Sequence, residues 1–351
     1  MKRSPDFNAY RGLLKTIRIP HPAYALAITE LERAYDTVGH TDFPQCRQLK
    51  GPSRGGKTCV IKDFMAHAPA SRRTDGLQCP IVYAHIPPKG TTMGLIENLL
   101  NALGDPHWAR GSESNKLSRL ILQLTACGCR MIVLDEFQHL ADKGQNKTLK
   151  RTVDFIKALV DPNQWALVAS GLPEASRVID LDPQLRGRFD APLDMPRFDW
   201  TDGVLHEQFR GVLIAFEEAI APFDIPPLDS EEMALRFYLA TGGLIGLVAK
   251  LLQRAIHDAI ADKRFTIALH HLNAAFRQAI RFSTQVAVGD GPFEIKLLGI
   301  SLDERLSQIV RMATVSEYVD EAESSVIELA PARTRKQRTV ADHKREMAEA
   351  L

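Results

Sequence analysis

Gly51-Pro52-Ser53-Arg54-Gly55-Gly56-Lys57-Thr58 follows the pattern G-x-x-x-x-G-K-T. Residue types at this spacing bind a polyphosphate. Gly51, Gly55 and Gly56 let the backbone around Pro52, Ser53 and Arg54 wrap closely, with N–H groups turned inward. Lys57 reaches the β- and γ-phosphates, and the Thr58 hydroxyl ligates Mg2+. Cys59 continues into a helix whose N-terminal partial charge faces the same anion. A second run, Arg130-Met131-Ile132-Val133-Leu134-Asp135-Glu136, delivers two acids from an apolar stretch. Asp135 would hold Mg2+, directly or through water, and Glu136 would polarise an attacking water. A hydrophobic run ending in Asp-Glu says little by itself. Set 78 residues past Lys57, it completes a site for a nucleoside triphosphate and its hydrolysis.

These side chains need a frame. Residues 46–50 read as a short strand before the glycine-rich loop. The runs 80–86, 130–136 and 165–171 are near-continuously apolar, as expected of buried parallel strands. Helical spacing of apolar residues covers 23–35, 93–103, 116–126 and 148–160, and a helix follows Thr58. Residues 68–80 read as a polar loop, and 104–114 as a turn-rich one carrying Trp108 and Arg110. The glycine-rich loop, the acids and Ser170 all stand at strand C-termini, where open α/β sheets bind ligands. The expected fold is therefore a three-layer α/β P-loop domain with a parallel sheet. Past Pro196 the pattern is wholly helical, over about 202–219, 229–240, 244–262 and 269–281. The expected organisation is a basic N-terminal segment (1–22), an ATPase core (23–195), an α-helical lid (196–282) and a C-terminal extension (283–351). The extension ends in a flexible basic tail.

Composition narrows the classes. The chain has 351 residues, 45% hydrophobic and 25% charged, as in an ordinary globular protein. Its formal net charge is +1, so a nucleic-acid surface must come from local patches. The 5 cysteines form no regular framework, and Cys127-Gly128-Cys129 lacks the spacing and the His pair of a zinc ribbon. A reduced, cytoplasmic setting is expected. With no signal-like start and no run of 18 apolar residues, export and membrane spanning are not expected.

Three further features resemble parts of AAA+ ATPases. Ser170 ends the strand after the two acids, the place of a "sensor 1" near the γ-phosphate; a hydroxyl capping the next turn is the other reading. Asp182-Pro183-Gln184-Leu185-Arg186-Gly187-Arg188-Phe189 resembles an arginine-finger box, with Arg188 favoured over Arg186. Such a finger reaches the γ-phosphate held by a neighbouring subunit. Gly242-Gly243-Leu244-Ile245 puts Ile245 where many lids carry a nucleotide-sensing arginine. The expected lid contact at Ile245 is apolar, and hydrolysis slow or partner-stimulated. Ile19 and His21 either cover the adenine or pack on the surface.

Taken together, Ile19-Pro20-His21-Pro22, the P-loop, His85-Ile86-Pro87, Leu134-Asp135-Glu136, Gln184 to Phe189 and Thr241 to Gly246 resemble the TniB/TnsC family. These are AAA+ ATPases of transposons, related to Mu-B-like regulators, and the resemblance spans about residues 15–280. It implies assembly with ATP and Mg2+ on double-stranded DNA as a ring or helical filament. It also implies two protein partners, a transposase and a target selector of the TniQ type, and reset by ATP hydrolysis. Lys57, Glu136 and Arg188 would then be the catalytic residues. The family's DNA-facing loops correspond here to Lys89, Thr91 and Thr92, then to Arg110, Ser112 and Ser114. Lys89 and Arg110 lead, and Lys116, Lys147, Lys150 and Arg151 are further basic candidates. For each, a solvated surface group is the other reading. No base-reading module is visible, so little sequence preference is expected.

Two other readings of the chain stand. A helicase loader or origin-type AAA+ protein would also bind DNA, but would serve replication. A signalling P-loop ATPase would bind proteins and no DNA. A metabolic kinase fits worst, because no acceptor site is apparent and Glu136 suits water.

Overall fold

Strand β1 (Cys46–Lys50) leads straight into the glycine-rich loop, and helix α2 (Lys57–His67) leaves it. In the computed structural model the described residues are 7–15, 17–40, 45–74, 76–88, 90–140, 146–160, 165–280 and 292–294. The expectations for Lys89, for the side chain of Lys147 and for the basic tail lie outside them.

Helix α1 (Pro22–Asp36) precedes β1. After α2 come β2 (Ser71–Arg73), β3 (Gly76–Gln78), β4 (Ile81–His85), α3 (Thr92–Ala102), α4 (Glu113–Ala126) and β5 (Met131–Asp135). Then follow α5 (Asn146–Val160), β6 (Ala166–Gly171), α6 (Ser176–Asp180), α7 (Pro183–Arg186) and β7 (Leu193–Asp194). The main sheet has the order β4-β5-β6-β1-β7, all parallel. β6 therefore lies between the P-loop strand and the strand carrying the acids. Register aligns Leu49 with Ser170 and Leu134 with Ala169, which brings the three strand ends level.

Side-chain alternation sorts each strand between two layers. Ile81, Met131, Val133, Ala166, Val168 and Leu49 pack with α1 and α2. Val82, Ala84, Ile132, Leu134, Leu167 and Ala169 pack with α3, α4 and α5. Both faces are covered, which is why β5 and β6 read as unbroken apolar runs. Buried Cys79, Cys127 and Cys129 sit in the second layer, where burial pushes their thiols up and keeps them protonated.

A third core joins α8 (Gly203–Ala219), α9 (Glu231–Thr241), α10 (Ile245–Ala261) and α11 (Leu269–Ala279), the expected helical part. α9 ends on Gly242 and Gly243, both at positive φ (58° and 73°). A Cβ on Gly243 would stand 2.0 Å from the Phe198 carbonyl oxygen, so this sharp connection admits no side chain there.

Three features differ from the sequence reading. Residues 68–80 are not simply loop: β2 and β3 pair as an antiparallel ladder. Strand β7 went unseen because two residues carry no period. The N-terminal segment forms a 3-10 helix (Phe7–Lys15), with Tyr10, Leu13, Leu14 and Ile17 against the lid core. Its polar composition masked an apolar face. The Arg11 carbonyl accepts from Gln253 on α10 at 2.8 Å.

Candidate nucleotide site

The P-loop is shaped by its glycines and by what lies beneath them. Gly56 has φ 98° and immediately precedes α2. A Cβ on Gly51 would stand 2.2 Å from the Met195 carbonyl oxygen, and one on Gly55 would stand 3.0 Å from that of Pro52. Arg54 also takes a left-handed conformation (φ 62°), a strained choice for a residue with a side chain. Ser53 and Arg54 are exposed, while Gly51, Pro52, Gly55 and Lys57 are buried. The Lys57 ammonium donates to the carbonyls of Gly51 (2.7 Å) and Pro52 (2.8 Å), folded into the loop that would cradle phosphate.

Asp135 is the hub. Its Oδ1 accepts from the Ser170 hydroxyl (2.8 Å) and from the Glu136 backbone N–H (3.0 Å). Its Oδ2 accepts from the Tyr83 hydroxyl (2.9 Å) and the Thr58 hydroxyl (3.2 Å). Asp135 and Ser170 are both buried. All four donors are neutral, so they satisfy the carboxylate without countering its charge. A buried negative charge of this kind favours a cation, and the hydroxyl and carboxylate oxygens suit a hard one such as Mg2+. The residues present therefore fit the ion implied by the motif, held by Thr58 and Asp135. Ser170 does not cap the next turn: its hydroxyl points sideways along the sheet to Asp135.

Tyr83 was not foreseen as a site residue. It shares a face of β4 with Ile81 and lies half-buried against the α1–α2 layer, a placement that sequence cannot tell from plain packing. Burial, then the neighbouring Asp135 charge, push its phenol up, so it remains a donor. Glu136 is half-buried, with φ 57°. Gln138, also unforeseen, is buried and donates through Nε2 to Glu136 Oε2.

The lid meets the loop directly. The Gly246 N–H, in the first turn of α10, donates to the Arg54 carbonyl at 2.9 Å. A Cβ on Gly56 would lie 3.5 Å from the Ile245 side chain. Ile245 thus stands beside the P-loop, and the lid adds a backbone hydrogen bond that the sequence reading did not contain.

Ile19 is buried in the lid core, and His21 is buried as the N-cap of α1, its Nδ1 accepting from Tyr24 N–H at 3.4 Å. The His21 ring meets Phe198 edge-on at 5.4 Å. The segment fastens the sheet unit to the lid. Cys59 lies half-buried on α2, where burial pushes its thiol up. Near it, the Tyr24 hydroxyl (2.6 Å) and Arg18 (3.0 Å) both bond Asp63.

Arg188 lies elsewhere. Its carbonyl accepts from Cys46 N–H at 3.3 Å, at the start of β1, whereas the P-loop follows the end of β1. Five residues of strand separate the two, about 16 Å at the usual rise. Its guanidinium donates to the Gln184 carbonyl at 3.2 Å. Arg47, buried in β1, bonds Glu30 and Asp190 and so bolts the Arg188 loop to the sheet. Arg186 is exposed nearby.

Of the loop residues, Thr91 N-caps α3 and Ser112 N-caps α4, accepting from Gly94 N–H (3.0 Å) and Asn115 N–H (3.3 Å). Both are exposed, as are Arg110, Ser114, Lys150 and Arg151. Thr92 and Lys116 instead face inward, bonded to Thr152 and Glu97 respectively.

A sequence model described as the bacterial TniB protein matches residues 14–199. No curated protein matches the chain. Among solved structures, Cdc6p from Pyrobaculum aerophilum is similar, with TM-score 0.56 and 18% identity over 77% of this chain and 71% of that one. The Aeropyrum pernix ORC1 protein, solved in complex with DNA, gives 0.55 and 20% over 76% and 68%. The ORC2 protein of Aeropyrum pernix, with ADPNP and ADP, gives 0.55 and 17% over 78% and 73%. At these identities the likeness is one of fold, that of AAA+ ATPases.

Proposed function

The chain belongs to the TniB family, and on that premise we propose that it is an ATP-dependent regulator of DNA transposition. It binds ATP with Mg2+, assembles with copies of itself on double-stranded DNA without strong sequence preference, and links a TniQ-type target selector to the transposase. Hydrolysis resets it, in a cytoplasmic setting. Among the described residues no single helix is long and apolar enough to cross a membrane.

The observation that carries this reading is the separation of Lys57 and Arg188 to opposite ends of β1. An arginine there reaches no phosphate on its own P-loop, so a role in catalysis requires a neighbour's site. Such contacts are head-to-tail and build rings or helical filaments. In the proposed mechanism the P-loop N–H groups and Lys57 bind and orient the triphosphate. Thr58 and Asp135 would hold the metal, which would supply charge neutralisation at the phosphates. Glu136 takes a proton from the attacking water, Ser170 and Tyr83 fix Asp135, and Arg188 of an adjacent copy stabilises developing charge.

The DNA surface is proposed at the exposed Thr91, Arg110 and Ser112, and Lys89, outside the described residues, remains a further candidate from the sequence. That the similarly folded ORC1 protein was solved with DNA supports a DNA-bound assembly. The same likeness favours, as a second reading, a loader serving replication. The test is binding of a labelled random-sequence duplex without nucleotide, with ADP, and with a slowly hydrolysed ATP analogue. Binding strengthened only by the analogue supports the proposal. Equal binding in all three states, or none, overturns it.

A further inference from the structure

Gln138 sits two residues past Glu136, in the 3-10 turn Phe137–Leu140, and only 3% of it is exposed. Its side-chain amide is used at both ends. Oε1 accepts the Leu172 backbone N–H at 3.1 Å. Nε2 donates to Oε2 of Glu136. The orientation is dictated by the partners, because a backbone N–H can only donate and a carboxylate can only accept. The pocket for the amide exists because residue 171 is glycine: a Cβ there would stand 2.4 Å from Gln138 Oε1 and 3.2 Å from Phe137 N.

Leu172 follows the end of β6, two residues beyond Ser170, which holds Asp135. The same strand end thus grips both acids, Asp135 through a hydroxyl and Glu136 through the Gln138 amide. The Glu136 backbone is held in turn by Asp135 Oδ1, in a left-handed conformation that an acidic residue adopts only when its surroundings impose it. Glu136 therefore has its main chain tied to β5 and its carboxylate tied to β6.

We propose that Gln138 is a positioning residue for Glu136, aiming its carboxylate at the attacking water and coupling that aim to the end of β6. A displacement of the β6 end is then passed to the carboxylate through Leu172 and Gln138. Gln138 acts through Glu136, because its amide is taken up by the Leu172 N–H and Glu136 Oε2. The inference rests on reading the site as hydrolytic.

The test uses the full chain with saturating duplex DNA and ATP. Gln138→Met keeps the length of the side chain and removes both hydrogen bonds. The expected result is a fall in kcat of about 100-fold, the scale of a small misplacement of a reacting group. KM and affinity for a slowly hydrolysed analogue should stay within about 2-fold. In a Glu136→Gln background, Gln138→Met should cost nothing further, since it acts through the missing carboxylate. Gln138→Leu, of similar volume and likewise without donor or acceptor, should match Gln138→Met and serves if that variant does not fold. A raised KM with unchanged kcat, equal losses in both backgrounds, or wild-type kcat overturns the inference and leaves the hydrolytic reading standing. A wild-type chain that binds the analogue but never hydrolyses ATP overturns both.

Discussion

Ser170 donates its hydroxyl to Asp135 Oδ1 at 2.8 Å, across the junction of β6 and β5. The bond exists because β6 is inserted between the P-loop strand and the strand of acids, with the strand ends level. Removing the hydroxyl leaves Asp135 with Glu136 N–H, Tyr83 and Thr58, so the carboxylate stays in place but is less firmly aimed. Ser170→Ala should lower kcat for ATP by about 10–100-fold, the usual cost of losing a partner of a metal-holding group. Affinity for a slowly hydrolysed analogue should hold. Steady-state hydrolysis beside equilibrium binding checks this, and a loss confined to binding would place Ser170 elsewhere in the cycle.

Arg188 at the start of β1 and Lys57 beyond its end make a complementation experiment possible. Arg188→Ala keeps its own P-loop and acids but offers no finger; Glu136→Gln offers a finger but no base. Each alone should be nearly inactive. Mixed on DNA, a fraction of interfaces pairs an intact site with an intact finger, and hydrolysis should rise above the sum of the two. No gain on mixing, with both variants assembling, would place the arginine outside catalysis.

Gly243 probes the junction between core and lid. Its φ of 73° and the 2.0 Å approach that a Cβ would make to the Phe198 carbonyl leave no room for alanine. Gly243→Ala should destabilise by on the order of 3 kcal/mol, backbone strain and displacement together. Thermal unfolding checks it: a melting temperature equal to wild type would mean that the connection yields freely.

His21 gives a pH dependence. Burial lowers its pKa below the ordinary 6.5, and its Nδ1 must stay unprotonated to accept the Tyr24 N–H. The unfolded chain therefore binds the proton more readily. The resulting stability is present above pH 6.5 and is lost as pH falls below it, towards the folded value. Melting temperature measured from about pH 8 down to about pH 5 should drop less in His21→Asn, which caps a helix without titrating. Identical slopes would exclude His21 as the source.

The P-loop, the acid-bearing strand and the order of strands and helices were legible because each carries its own signal. Gly51, Gly56, Lys57 and Thr58 are the four fixed positions of an eight-residue pattern, and β5 and β6 are apolar up to the polar residue near each strand end because both sheet faces are covered. The helical part was legible from apolar spacing and from Gly242-Gly243. What stayed hidden depends on contacts between distant residues. Tyr83 looks like any strand aromatic until β5 brings Asp135 within reach of its hydroxyl. Gln138 has no motif, and its role depends on Leu172, brought beside it by the sheet. The inward turn of Thr92 and Lys116 depends on α5 and α3, and the packing of residues 7–17 depends on α10. Ile245 was read as an apolar substitute, while the Gly246–Arg54 backbone bond needs no particular side chain and leaves only a glycine as its trace.

The most direct measurement is negative-stain imaging of the full chain with duplex DNA, without nucleotide, with ADP, and with a slowly hydrolysed ATP analogue, beside Lys57→Ala. A site completed by a neighbour's arginine predicts rings or filaments on DNA with the analogue only, and none with Lys57→Ala. Assemblies indifferent to nucleotide, or a chain that stays monomeric on DNA with the analogue bound, would contradict a nucleotide site shared between copies.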